Sequence, residues 1–156
     1  MWPRVPPTVR LVASLAAMTE VLIATDDDAV FAEVEAALVD ETTSIVRVRA
    51  GQAVGPAVAE STPDLVVLDM QIGNMGGIAA CLHLRHEAGA DRLPEVPVLM
   101  LLDRQADVFL ARRSAADGWV VKPLESFSLR RAATAVIEGE GTAAVERALV
   151  GDVNPA

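Results

Sequence analysis

The chain has 156 residues, 52% of them hydrophobic and 22% charged, which frames one globular domain with a real core and excludes two full-sized ones. Its net charge of −9 argues against nucleic acid as a partner, because neutralising phosphates needs a clustered basic surface. The one cysteine, Cys81, excludes an internal disulfide and an all-cysteine zinc site and fits a reducing cytoplasm.

In chain order, residues 1–19 come before the main strand signals. The stretch MWPRVPPTVRLVASLAA holds two arginines and a short apolar piece, Leu11 to Ala17. That piece lies at the bottom of the range for a signal peptide and is far too short to span a membrane. A competing reading takes Met18 as the natural start, since MTEVLIAT enters a strand at once, and residues 1–19 are expected to be a disordered or loosely docked extension or to lie upstream of that start. A first strand is predicted at VLIA (21–24), followed by a helix in DAVFAEVEAALVDE with Val30, Phe31, Val34, Ala37 and Leu38 on one face. SIVRVRA (44–50) is the second strand, and GQAVGPAVAES a short second helix marked by Gly and Pro. DLVVLD (64–69) and VPVLMLL (96–102) are strands three and four, separated by a helix in GGIAACLHLRHEAGA. ADVFLARRSAADG is a fourth helix, GWVV (118–121) a fifth strand, and LESFSLRRAATAVIEG a fifth helix. The buried stripe of that last helix is predicted as Phe127, Leu129, Ala133, Val136 and Ile137. The domain is expected to span 20–139, with 140–156 a short tail or helix extension.

Five strand–helix units with nearly continuous apolar strands predict an α/β fold, a doubly wound parallel sheet with helices on both faces. In such sheets ligands sit beyond the carboxyl ends of the strands. Thr25, Asp26, Asp27 and Asp28 follow strand one, Asp69 and Met70 end strand three, Asp103 follows strand four, and Lys122 and Pro123 follow strand five. Carboxylates gathered on one edge repel one another and need a cation. Mg²⁺ binds through one or two carboxylates while keeping waters, and a lysine beside it can hold a phosphoryl oxygen. Together with a free aspartate these are a minimal set for moving a phosphoryl group onto a carboxylate.

VLIATDDDAV, DLVVLDMQIGNMGG, PVLMLLD and AADGWVVKPL resemble, in order and spacing, the signatures of bacterial response-regulator receiver domains. The resemblance covers about Glu20 to Gly139. It implies a flavodoxin-like sheet of order 2-1-3-4-5 and a phosphoacceptor at Asp69. It also implies Mg²⁺ held by Asp26, Asp69 and the backbone carbonyl of Gln71, with Lys122 on the phosphoryl group and a cis Lys122–Pro123 peptide. Trp119 stands where receivers often carry a rotating aromatic residue. A sensor histidine kinase is the implied donor and a cytoplasmic two-component signalling role the implied function, with no enzymatic activity beyond gaining and losing the phosphoryl group.

The departures are specific. Thr25 takes the place of the first of two acids, with Asp27 a substitute ligand if the turn shifts by one residue. Leu102 replaces the Ser/Thr whose hydroxyl ordinarily bonds the phosphoryl group. Asp103 places a charge opposite an incoming group of about −1.5 to −2, and Gly73 replaces a proline in the loop after the acceptor. Blander roles are expected elsewhere: helix capping for Asp27 and Asp28, partly exposed packing for Trp119, solvated helix faces for His83 and His86, and a small buried hydrophobe for Cys81. Arg112, Arg113, Arg130 and Arg131 read as a solvated face, or as a patch for an anionic partner on the surface between the fourth and fifth helices. The tail is too short for a DNA-binding output domain, so the expected output is protein–protein contact, homodimer formation included, with no membrane or nucleic acid. The alternative is an interaction module that keeps the fold and works without phosphorylation.

Overall fold

The computed structural model describes residues 18–139, so the expectations for 1–17 and 140–156 lie outside the described residues. Five strands form one parallel sheet: β1 (Thr19–Ala24), β2 (Thr43–Val48), β3 (Leu65–Asp69), β4 (Val98–Leu102) and β5 (Gly118–Val121). Their order is β2-β1-β3-β4-β5, the doubly wound arrangement expected. Four α-helices cross over between them, α1 (Asp28–Leu38), α2 (Val54–Ser61), α3 (Gly77–Gly89) and α4 (Val108–Arg113), and a fifth, α5 (Ser126–Ile137), follows β5. Short 3₁₀ turns at Gly51–Ala53 and Gln105–Asp107 lead into α2 and α4.

The apolar runs of β3 and β4 are buried at every position, as central strands covered on both faces must be. Alternate strand residues feed two cores. One takes Leu22, Val66, Leu68, Met100 and Leu102 together with Val54, Cys81, Leu84 and Trp119. The other takes Ile23, Val67, Leu99 and Leu101 with Val34, Leu129 and Val136. This is the period-two alternation of a strand, read twice because both faces are dry.

The five helices fall where the sequence predicts them, with different boundaries. The first helix stops at Leu38, because Asp40 turns the chain by accepting from Thr42 N, Thr42 Oγ1 and Thr43 Oγ1. In α5 the stripe is Leu129, Ala132, Ala133 and Val136, an i, i+3, i+4, i+7 set. Phe127 is a correction: it is 65% exposed, two residues before Leu129 and therefore on the opposite side of the helix. Ile137 also stands out of the core, at 39% exposed.

Candidate functional site

The edge formed by the strand carboxyl ends is built by register. Ala24 of β1 pairs with Leu68 of β3, so Thr25 and Asp69 follow as neighbours. Asp69 pairs with Leu101 of β4, and Leu102 with Val121 of β5, which puts Asp103 and Lys122 side by side just beyond. Lys122 N donates to Leu102 O at 2.7 Å, fixing that alignment, and the Lys122–Pro123 peptide is cis.

Asp69 is 1% exposed, and three donors reach its carboxylate. Lys122 Nζ lies 3.0 Å from Oδ1, Gln71 N 3.1 Å from the same oxygen, and Thr25 Oγ1 2.7 Å from Oδ2. Lys122 Nζ also bonds Asp103 Oδ1 at 3.2 Å. Burial works against the Lys122 ammonium, but hydrogen bonds and charge from Asp69 and Asp103 outweigh it and raise its pKa above the ordinary lysine value. The other oxygen of Asp103, Oδ2, is buried and has no hydrogen-bond partner.

The loop after β1 is organised by its acids. Asp26 Oδ2 accepts from Gly73 N at 3.1 Å, tying this loop to the one after Asp69. Asp27 Oδ1 accepts from Ala29 N and Val30 N and caps α1, the role expected of it. Asp28 is ion-paired with Arg47 at 2.8 Å and Arg49 at 2.9 Å, and both arginines hold its carboxyl below the usual range. Arg47 further donates through Nε and Nη2 to the Thr25 carbonyl and lies over the Phe31 ring.

The loop after β3 is pinned backbone to backbone. Gly51 N donates to Gly73 O and Gln52 N to Asn74 O. A Cβ on Gly51 would fall 1.7 Å from Met75 O, and one on Gly77 would fall 2.6 Å from Asp69 O, so both close approaches require glycine. Asn74 and Met75 hold positive φ, 51° and 75°.

Asp26, Asp69, Gln71, Asp103 and Lys122 thus gather on one edge, while the Asp27 carboxylate is engaged by α1. Leu102 and Trp119 lie beneath in one apolar core, at 0% and 2% exposed. Trp119 is therefore buried rather than partly exposed as expected, with the Arg112 guanidinium 5.1 Å above its ring. Arg130 is exposed, as a solvated face requires, and its Nε donates to Ala37 O, joining α5 to α1. His83 and His86 are exposed and Cys81 is buried, as expected.

Among the described residues no group of three or more His, Cys, Asp or Glu side chains is arranged to hold a metal. Oxygen donors suited to a hard cation are nonetheless present in the Asp26 and Asp69 carboxylates, and the orphaned Asp103 Oδ2 is an acceptor for a water or cation. The residues therefore fit a two-carboxylate Mg²⁺ site. Two interactions were missed in the sequence. A threonine at a strand end gives no sign of its acceptor, and a glycine N–H gives none of the acid it will meet.

The family model for the response regulator receiver domain matches residues 21–134. DNA-binding response regulator MtrA of Mycobacterium tuberculosis is 34% identical over 111 residues, 69% of this chain and 46% of MtrA. Transcriptional regulatory protein AfsQ1 of Streptomyces coelicolor is 29% identical over 110 residues, 69% of this chain and 46% of that protein. The chain spans about half the length of the curated relatives it matches. Among solved structures, Vibrio cholerae CheY4 superposes with TM-score 0.67 at 21% identity, covering 76% of this chain and 98% of that one. A LuxR-family two-component response regulator from Aurantimonas gives 0.70 at 22% identity, covering 85% and 96%. With the family model matching most of the chain and the fold in agreement, the chain belongs to the response regulator receiver domain family of two-component signalling.

Proposed function

We propose that Asp69 accepts a phosphoryl group from the phosphohistidine of a sensor histidine kinase. An Asp69 carboxylate oxygen attacks phosphorus, the P–N bond breaks with its electron pair leaving on the imidazole, and an acyl phosphate forms. Lys122 stabilises the entering oxygens as a positive point charge, and Gln71 N, 3.1 Å from Oδ1, orients the carboxylate. Mg²⁺ would be held by Asp26, Asp69 and the Gln71 carbonyl, and by Asp27 if that side chain leaves its cap; it would neutralise charge on the phosphoryl oxygens. The observation that carries this reading is the 3.0 Å contact of Lys122 Nζ with the buried Asp69.

The proposed output is contact with a protein through the surface of α4, β5 and α5, where Phe109 and Phe127 stand exposed beside Arg113 and Arg131. The acidity of the chain weighs against nucleic acid as the direct target of these residues. The phosphohistidine donor and the reduced Cys81 support a cytoplasmic setting.

Incubating the protein with Mg²⁺ and a small phosphodonor is expected to add one phosphoryl mass to wild type and none to Asp69→Asn. Identical masses for the two proteins would overturn the reading. A second reading, a module that signals without phosphorylation, is favoured by Leu102, which offers no hydroxyl at the end of β4. An adduct whose backbone NMR shifts stay confined to the loops after β1 and β3 would favour it.

A further inference from the structure

Two acids of this site, Asp69 and Asp26, already accept hydrogen bonds from the chain itself. Thr25 Oγ1 donates to Asp69 Oδ2 at 2.7 Å, from a residue that is fully buried. Gly73 N donates to Asp26 Oδ2 at 3.1 Å. Asp27 N in turn donates to Thr25 Oγ1 at 3.2 Å, which leaves the hydroxyl proton directed at Asp69. One oxygen of each carboxylate suited to a cation is therefore occupied by a donor that carries no net charge. Neither donor is generic to the position: a second acid in place of Thr25 has no proton to give at neutral pH, and a proline in place of Gly73 has no N–H.

We propose that Thr25 and Gly73 determine the cation requirement of this receiver, occupying the Asp69 and Asp26 oxygens that a divalent ion would otherwise take. The inference rests on the reading of Asp69 as a metal-assisted phosphoacceptor. A cation that binds through these two oxygens has to compete with two hydrogen bonds to carboxylates, which are stronger than neutral ones. It also finds one carboxylate fewer than a site carrying an acid at residue 25. The consequence is a weakly held metal and an Asp69 carboxylate that stays oriented before any metal arrives. The positioning role belongs to the Thr25 hydroxyl, and the loop-to-loop latch to the Gly73 amide.

The test is direct Mn²⁺ binding to the whole chain, followed by the electron paramagnetic resonance of free Mn²⁺, together with the adduct mass. Thr25→Val keeps the shape and removes the donor; Thr25→Ser keeps the donor; Gly73→Pro removes the N–H while Gly73→Ala retains it. Thr25→Val is expected to bind Mn²⁺ about tenfold tighter than wild type, the order of one charge-assisted hydrogen bond, and Gly73→Pro about tenfold tighter than Gly73→Ala, whose Cβ likewise falls 3.0 Å from Asp26 Oδ2. Thr25→Ser is expected to match wild type. Circular dichroism identifies any variant that fails to fold, and the Thr25 pair and the Gly73 pair each decide the question alone. Mn²⁺ affinity equal in folded Thr25→Val and wild type, and equal in Gly73→Pro and Gly73→Ala, with the Asp69 adduct still formed, overturns the latch and leaves the phosphoacceptor reading standing. Adduct formation that proceeds without any divalent ion, with no Mn²⁺ bound by any variant, overturns the metal-assisted reading and the latch with it.

Discussion

Lys122 sits between Asp69 and Asp103, and its charge is what lets two carboxylates share one edge. Its folded pKa is raised, because the two acids outweigh the cost of burial. A raised base contributes stability in full below its unfolded pKa and loses it as pH climbs through the folded one. The contribution is therefore complete at neutral pH and fades only above the ordinary lysine value of 10.5. Urea midpoints of wild type and Lys122→Gln are expected to differ most near pH 8 and to converge toward pH 12; a constant gap would refute the linkage. Asp69 and Lys122 were legible from position alone, since a charged residue that ends a buried strand needs a partner on the same edge. Thr25 and Gly73 were not, because what they do depends on which acid the fold sets opposite them.

At the scale of elements, α5 shows what periodicity resolves and what it leaves open. Leu129 and Val136 were placed correctly, seven residues apart on the stripe facing β4 and β5. Phe127 was misplaced because an aromatic residue in the first turn resembles a core residue in composition. The angle from Leu129 puts it outside, where Arg131 lies over its ring. Leu129→Ala is expected to cost about 2–5 kcal/mol, because it opens a cavity in a fully buried position. Phe127→Ser is expected to cost less than about 1 kcal/mol, the scale of an exposed cation–π contact. Chemical denaturation of both variants checks the contrast, and equal losses would place Phe127 in the core after all. The cap of α1 was also readable: Asp27 precedes the helix and accepts from Ala29 N and Val30 N, the ordinary service of an aspartate at that position.

For the molecule as a whole, the sheet order decides where stability lies. β3 and β4 are buried throughout, whereas β2 lies at an edge with only partial burial. Amide hydrogen exchange is expected to be slowest in β3 and β4 and faster in β2, since local opening tracks buried contacts. Equal protection across the three strands would contradict that ranking. The five strand–helix units, the parallel sheet and the collection of Asp26, Asp69 and Lys122 at one edge were determined by the sequence itself. Alternation of buried strands with helical stripes admits few topologies, and the connection rules fix where strand ends point. Tertiary structure alone decided the pairing at that edge: Thr25 with Asp69, Gly73 with Asp26, Asp103 with Lys122, and Trp119 turned into the core. Each of these is a contact between residues far apart in the chain, and hydrogen bonds of that kind are specified by register and loop conformation, which no local pattern records.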